Sequence, residues 1–215
     1  MTLQRLIILR HGETDWNAGF RMQGHRDIPI NARGLEQAAA AAPSLVALGP
    51  EMIVSSDLQR ARATAEVIAD LMDVDVRTDA RLRETSLGQW EGLDRDEVRA
   101  RWPGQWEEWR HHGARMAPPG GESRLEVSER ASEVVDELDA GGPESALLVS
   151  HGGLIVGLTG RLLGIDPDYW GALIGVGNCH WVALHRVGGR WLLHTYNGGL
   201  GGIVLAARDE EIVDD

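Results

Sequence analysis

The sequence carries one cysteine, Cys179, in 215 residues, so no internal disulfide can form and the chain suits a reducing compartment. It has no uninterrupted apolar run of membrane-spanning length, and the apolar stretch near its start is too short for a signal peptide. Positive charge is in deficit: 21 Arg and Lys against 33 Asp and Glu leave a formal charge of −12. A field of that sign repels nucleic acid and anionic membranes. An anion handled by this chain must therefore be met by a local cluster of Arg and His. Repeats and low-complexity tracts are missing too. These exclusions point to a cytoplasmic globular protein with neither nucleic acid nor membrane as partner. The 43% hydrophobic and 25% charged fractions are ordinary for that class. The length suits one sizeable core, and the expectation is a single domain over 1–215.

What is present alternates between short apolar runs and helical periodicity. Residues 6–9, 52–55 and 146–149 read as buried strands. Residues 31–48 read as a helix with Asn31 at its N-cap and an alanine-rich body, which Pro43 should kink or break. Asp57 is placed to open a helix over 58–72, and helices are expected over 122–138 and 153–163. The tryptophan-rich stretch 93–111 predicts two short helices broken near Trp102-Pro103-Gly104, followed by a loop at 118–121. Residues 181–185 and 191–196 predict a hairpin around Gly188-Gly189. Strands alternating with helices imply an α/β fold with a mostly parallel sheet, closed by an antiparallel hairpin.

In open α/β sheets, ligands bind where strands end and helices begin. Three predicted strand ends carry polar residues there: Arg10-His11, Ser55-Ser56-Asp57 and Ser150-His151-Gly152. Arg60, in the first turn of the second helix, can lean back to the same edge, where the helix N-terminus also offers backbone donors. Arg10, Arg60, His11 and His151 would then form a cationic cluster in an acidic protein. The planar fork of arginine matches phosphoryl oxygens. A neutral imidazole can attack phosphorus, and the second histidine with two arginines can stabilise the charge that develops, with no metal required. A general acid for the departing oxygen is still needed. Glu84 and Glu13 both sit near turn-like residues, and composition does not choose between them.

The stretches RHGETDWN, RMQGHRDIPIN, SSDLQRARATAE, RLRETSLGQWEG and SHGGL occur in this order along nearly the whole chain. Together they resemble the histidine phosphatase superfamily, also called phosphoglycerate mutase-like. The resemblance implies an α/β three-layer sandwich, a mostly parallel mixed sheet with helices on both faces, and a small helical cap inserted at about 90–122. It also implies His11 as the phosphorylated nucleophile, with Arg10, Arg60 and His151 as the phosphate pocket and Glu84 as proton donor. Asn17, Gln23 and Gly152 match positions that contact phosphate or substrate. The stretch RLRETSLGQWEG, where mutases carry one like RLNERHYG, is similar to the phosphatase branch and implies that water accepts the phosphoryl group. PPGGESRLEVSERA, SHGGLIVGL and WGALIGVGNCHW narrow the resemblance to actinobacterial glucosyl-3-phosphoglycerate phosphatases. That group implies a homodimer acting on a small phosphorylated metabolite, without metal or other cofactor. The alternatives are a broad-specificity phosphatase, a phosphoglycerate mutase, or, more remotely, a non-catalytic phosphate-binding protein. The last commonly lacks the nucleophile or the acid, and here all five positions are filled.

Other features invite blander readings. His25, His111, His112, His180, His185 and His194 lack the spacing of a metal-ligand set. Trp102, Trp106 and Trp109 stand at i, i+4 and i+7, the pattern of a packing face, with a lid over a sugar ring as the functional alternative. The glycine-rich stretch 197–202 reads as a loop, and the acidic end, 209–215, as a solvated tail.

Overall fold

Six strands build one mixed sheet: β1 (Arg5–Arg10), β2 (Met52–Ser55), β3 (Val76–Thr78), β4 (Ser145–Ser150), β5 (Trp181–Val187) and β6 (Arg190–Gly198), in the order β3-β2-β4-β1-β5-β6. The computed structural model describes residues 2–112 and 114–199, with His112 described in its backbone only. Strand β4 pairs in parallel with β1 and β2, and β2 with β3, while β5 runs antiparallel to β1 and β6 antiparallel to β5. Within β1, Leu6 and Ile8 point into a core shared with Val127, Leu148 and Leu154. Ile7 and Leu9 point into a second core, shared with Ala38, Ile68 and Leu147. A strand buried on both faces has no polar side to show, which is why the run LIIL is unbroken. Each such fully buried aliphatic side chain contributes about 1.5–3 kcal/mol relative to leaving it exposed. Helices α2 (Ala32–Ala47) and α3 (Gln59–Met72) cover one face, and α6 (Arg124–Gly141) with α7 (Gly152–Leu162) the other, which completes the three layers.

Local structure departs from expectation at several points, and two short elements carry no pattern that announces them. Pro43 lies inside α2 without breaking it. Its missing N–H would have bonded the carbonyl of Ala39, and both residues face solvent, where water can take that acceptor. Asp57 does not cap α3: Leu58 holds the N-cap position, Asp57 pairs with Arg83, and Asp27 accepts from the Gln59 amide at 2.8 Å. Strand β3 shows no sequence pattern because its three residues, Val-Arg-Thr, are an edge on which only Val76 is partly buried, with no apolar run. A single-turn helix, α1 (Asp15–Ala18), follows β1, held by a capping box between Thr14 and Asn17.

The tryptophan region contains α4 (Arg95–Arg101) and α5 (Gln105–His112), broken where expected. Trp102 sits at the C-cap of α4, so the three tryptophans do not share one helix. They converge instead on Trp90, which is fully buried, at centroid distances of 6.3, 6.3 and 5.8 Å. Packing is thus their first role. Residues 197 and 198 close β6 rather than forming a loop; 200–202 and the acidic end lie outside the described residues. No helix among the described residues is long and apolar enough to cross a membrane.

Candidate active site

Strands β2, β4 and β1 are neighbours, with Arg10 level with Ser150 and Ser55 level with Val149. The three polar strand ends therefore emerge side by side at the carboxyl edge. The His11 amide donates to the Ser150 carbonyl at 3.0 Å, and the rings of His11 and His151 lie 5.1 Å apart, inclined at 60°. Both side chains are buried, His11 2% and His151 0% exposed.

His11 Nδ1 stands 2.7 Å from the Gly12 carbonyl. A carbonyl only accepts, so Nδ1 carries the proton and Nε2 keeps its lone pair. Gly12 is required by packing: a Cβ there would come within 2.4 Å of the Gly34 carbonyl oxygen at the start of α2. The Gly12 amide donates to Thr64 Oγ1 at 3.0 Å, which fixes the turn from the α3 side. Burial, followed by Arg60 and Arg10, holds the His11 imidazole well below its ordinary pKa of 6.5. His151 is lowered well below 6.5 as well, by burial first and then by Arg60, His11 and Arg10. Its Nε2 lies 2.9 Å from the Ser56 hydroxyl, which itself accepts from the Leu58 amide; its Nδ1 is buried without a hydrogen-bond partner.

Arg60, fully buried, bonds the carbonyls of Arg26 and Gly24 through Nη1 and Nη2, at 2.7 and 2.9 Å. Arg10 Nη1 reaches the Val176 carbonyl at 2.8 Å. In each guanidinium Nε is buried and unpartnered. Burial lowers both, Arg60 to about 10, with Glu84 opposing the shift as the next influence on each. The cluster thus collects two charged forks and two neutral imidazoles. Its unpaired Nε donors suit a tetrahedral oxyanion. The α3 N-terminus does not offer the Gln59 amide to a ligand, because Asp27 takes it.

Glu84 lies across the edge, at the start of α7. Its carboxylate accepts from the amides of Thr85, Leu154 and Gly153 at 2.8, 3.1 and 3.2 Å. Gly152 opens α7 against Arg10, whereas a Cβ on Gly153 would come 2.6 Å from both Glu84 Oε1 and Thr85 Oγ1. Gly153 is thus the glycine that Glu84 needs. Glu13 is engaged elsewhere: its carboxylate accepts from Asn31 at 3.2 Å and pairs with Arg33.

Asn17 and Gln23 join the cluster through a polar chain. Asn17 Oδ1 accepts from the Thr14 amide and from Asn178 Nδ2, which also bonds the His11 carbonyl at 2.9 Å. Gln23 Oε1 lies 3.0 Å from the Thr14 hydroxyl. Both amide oxygens are thereby committed, which leaves the NH2 groups as donors. Three contributors, Asn178, Thr64 and Arg130, have no mark in the sequence, whereas Ser56 belongs to one of the polar strand ends. Asn178 precedes β5, the neighbour of β1, and only the pairing order reveals its place. Thr64 is a common residue inside a helix, α3, with nothing in its spacing to mark it. Arg130, on α6, bonds the carbonyls of Arg81, Arg83 and Glu84 at 2.6, 2.8 and 2.8 Å and is paired with Glu122. Among the described residues no group of three or more His, Cys, Asp or Glu is placed to hold a metal ion.

Comparison with known proteins bears on this arrangement directly. Residues 6–198 match the family described as histidine phosphatase superfamily (branch 1). The chain is 47% identical over 192 residues to a glucosyl-3-phosphoglycerate phosphatase of Mycolicibacterium vanbaalenii, covering 86% of this chain and 85% of that one. It is 43% identical to the protein of the same name from Mycobacterium tuberculosis, covering 92% and 96%. The structure of a mycobacterial glucosyl-3-phosphoglycerate phosphatase in complex with VO3 superposes with a TM-score of 0.88 at 43% identity, covering 91% of this chain and 100% of that one. With its sheet order, its strand-end histidines and these relatives in agreement, the chain belongs to the histidine phosphatase superfamily, branch 1.

Proposed function

We propose that this chain is a metal-independent phosphomonoesterase that works through a phosphohistidine on His11 and hydrolyses glucosyl-3-phosphoglycerate to glucosylglycerate and phosphate. The observation that carries the chemistry is the tautomer of His11: Nδ1–H is tied to the Gly12 carbonyl, so Nε2 is a free, neutral nucleophile beside two arginines. Nε2 attacks phosphorus, and the bond from phosphorus to the substrate oxygen breaks. Glu84 gives its proton to the departing alkoxide. The Gly12 carbonyl supports the positive charge that the imidazole acquires. Arg10, Arg60 and His151 hold the phosphoryl oxygens, with Gly152, Asn17 and Gln23 contributing contacts. Water then attacks phosphorus, Glu84 takes its proton, and the bond to Nε2 breaks, which restores the enzyme.

The substrate assignment rests on the names of the relatives at 43 and 47% identity. The same reading takes residues 90–122 as a cap over the pocket beside Glu84, and the protein as a cytoplasmic homodimer. Sedimentation equilibrium of the purified protein tests the dimer. Assay against a panel of phosphate esters tests the substrate: a clear preference for glucosyl-3-phosphoglycerate is expected. A flat rate across the panel would make the chain a broad-specificity phosphatase, and interconversion of phosphoglycerates would make it a mutase.

A further inference from the structure

Beside Glu84, and bordered by the Gly152 that abuts Arg10, a cavity of about 180 Å³ opens between Thr85, Trp109, Arg124 and Gly153. A larger cleft of about 530 Å³ lies by Phe20, Asp94 and Trp106, but none of the site residues lines it. The smaller cavity is unusual in its polar atoms. Arg124 Nε, Thr85 Oγ1 and Trp109 Nε1 are all buried and all lack a hydrogen-bond partner. Each is a donor, and leaving several buried donors unpaired in one place is costly, since each has given up water for nothing. Such donors are tolerated where an acceptor visits.

Arg124 is fixed at the first position of α6 and lies over the Trp109 ring, 5.0 Å from its centroid. Trp109 in turn packs on the buried Trp90. The guanidinium is thus held on a rigid aromatic floor. Burial lowers it, Glu84 supplies the main opposing attraction, and Arg110 adds repulsion. Glu84 must carry a proton to act as an acid. In that state it offers Arg124 no counter-charge, just when the substrate is bound. An anionic group on the leaving alcohol would take its place.

We infer that Arg124, Thr85 and Trp109 form a carboxylate subsite, which selects phosphate monoesters whose leaving alcohol carries a carboxylate a few bonds from the ester oxygen. This inference rests on the phosphatase reading above and adds a residue set that decides among its substrates. The geometry suits it: the cavity shares Glu84 with the reaction, so an alcohol protonated there directs its short acid arm at Arg124. The guanidinium fork and a hydroxyl are the donors a carboxylate takes, whereas a neutral arm leaves the Arg124 charge unpaired.

The test is the acid-to-carboxamide ratio of kcat/KM for glucosyl-3-phosphoglycerate and its C1 carboxamide, with p-nitrophenyl phosphate as a third substrate. Wild-type protein is compared with Arg124→Gln and Arg124→Lys. Wild type should favour the acid by about 30-fold, mostly through KM, the scale of one charge-assisted pair. Arg124→Gln should bring the ratio to within about threefold, and Arg124→Lys, which keeps the charge but not the fork, should fall between. An unchanged ratio in Arg124→Gln overturns the subsite. So does a wild-type enzyme that hydrolyses p-nitrophenyl phosphate but treats acid and amide alike, and in that case the phosphatase reading stands. A wild-type protein inert toward every ester overturns both.

Discussion

The two histidines show how burial sets chemistry at a single residue. An imidazole at its ordinary pKa of 6.5 would be partly protonated in mild acid and would lose its nucleophilic lone pair. Burial beside two guanidiniums keeps His11 neutral well into that range. Followed by NMR in the ligand-free protein, the His11 and His151 rings should titrate well below 6.5; titration at or above 6.5 would refute the electrostatic account. The same shifts bear on stability. The unfolded chain takes up a proton on each ring at about 6.5, whereas the folded chain does not. Stability is therefore full above 6.5 and declines as pH falls from there toward the folded-state values, by at most about 1.4 kcal/mol per pH unit for each histidine. Urea unfolding between pH 7.5 and 5 should show this decline in wild type and a shallower one in His151→Asn.

Gly153 gives a second prediction at this scale. In Gly153→Ala the new methyl must displace Glu84 or Thr85, since it would stand 2.6 Å from both. A shift of that size costs about 100-fold in kcat. The loss should be larger for an alkyl phosphate than for p-nitrophenyl phosphate, whose leaving group needs no proton. Equal losses on the two esters would mean that Glu84 is not the acid. The motif SHGGL contains both glycines, and the family resemblance marks the first; only the packing shows that the second is the one in contact with Glu84.

At the scale of elements, the strands at the site were legible because each is buried on both faces, and so announces itself as an aliphatic run. Strand β3 was not, being a three-residue edge. Pro43 costs α2 a backbone bond without ending it, because the helix continues on the strength of Ala41, Ala42 and Leu45 in the core. Removing that cost should help: Pro43→Ala restores a backbone bond, offset by a more flexible unfolded chain. A net gain of about 1–2 kcal/mol in chemical denaturation is expected.

The loop that carries Glu84 is an element without regular structure, and Arg130 gives it shape by collecting three carbonyls from residues 81–84. His25 Nε2 also meets the Glu84 carbonyl, at 2.7 Å. Arg130 is therefore a positioning residue. Arg130→Met should lower kcat on alkyl phosphates about 10- to 100-fold while sparing p-nitrophenyl phosphate more. A merely destabilising effect would lower both alike.

Across the whole molecule, charge is divided in a way composition alone does not reveal. The sequence contains no lysine, so all 21 basic side chains are arginines, suited to planar, bidentate pairing. Among the described residues most sit in surface ion pairs such as Arg81 with Glu137, or in backbone clamps such as Arg130; Arg10, Arg60, Arg124 and Arg186 keep a buried Nε unpaired, and the first three of these surround the site. A chain with a charge of −12 thus keeps a small cationic chamber inside an anionic shell. That such a cluster had to exist followed from the acidic composition together with the strand-end histidines. Its closure did not, because the meeting of residues 11, 60, 84 and 151 depends on β4 lying between β1 and β2, an order that no local pattern encodes.

The central claim is that the phosphoryl group passes through His11. Rapid quenching of turnover into alkali, followed by mass spectrometry of the peptide spanning residues 10–17, tests it most directly, since phosphohistidine survives base and not acid. A phosphoryl group is expected on His11 during turnover in EDTA, none in His11→Ala, and activity in that variant lowered by at least about 10⁴-fold. Full activity in His11→Ala, or a phosphoryl group on any other residue, would contradict it.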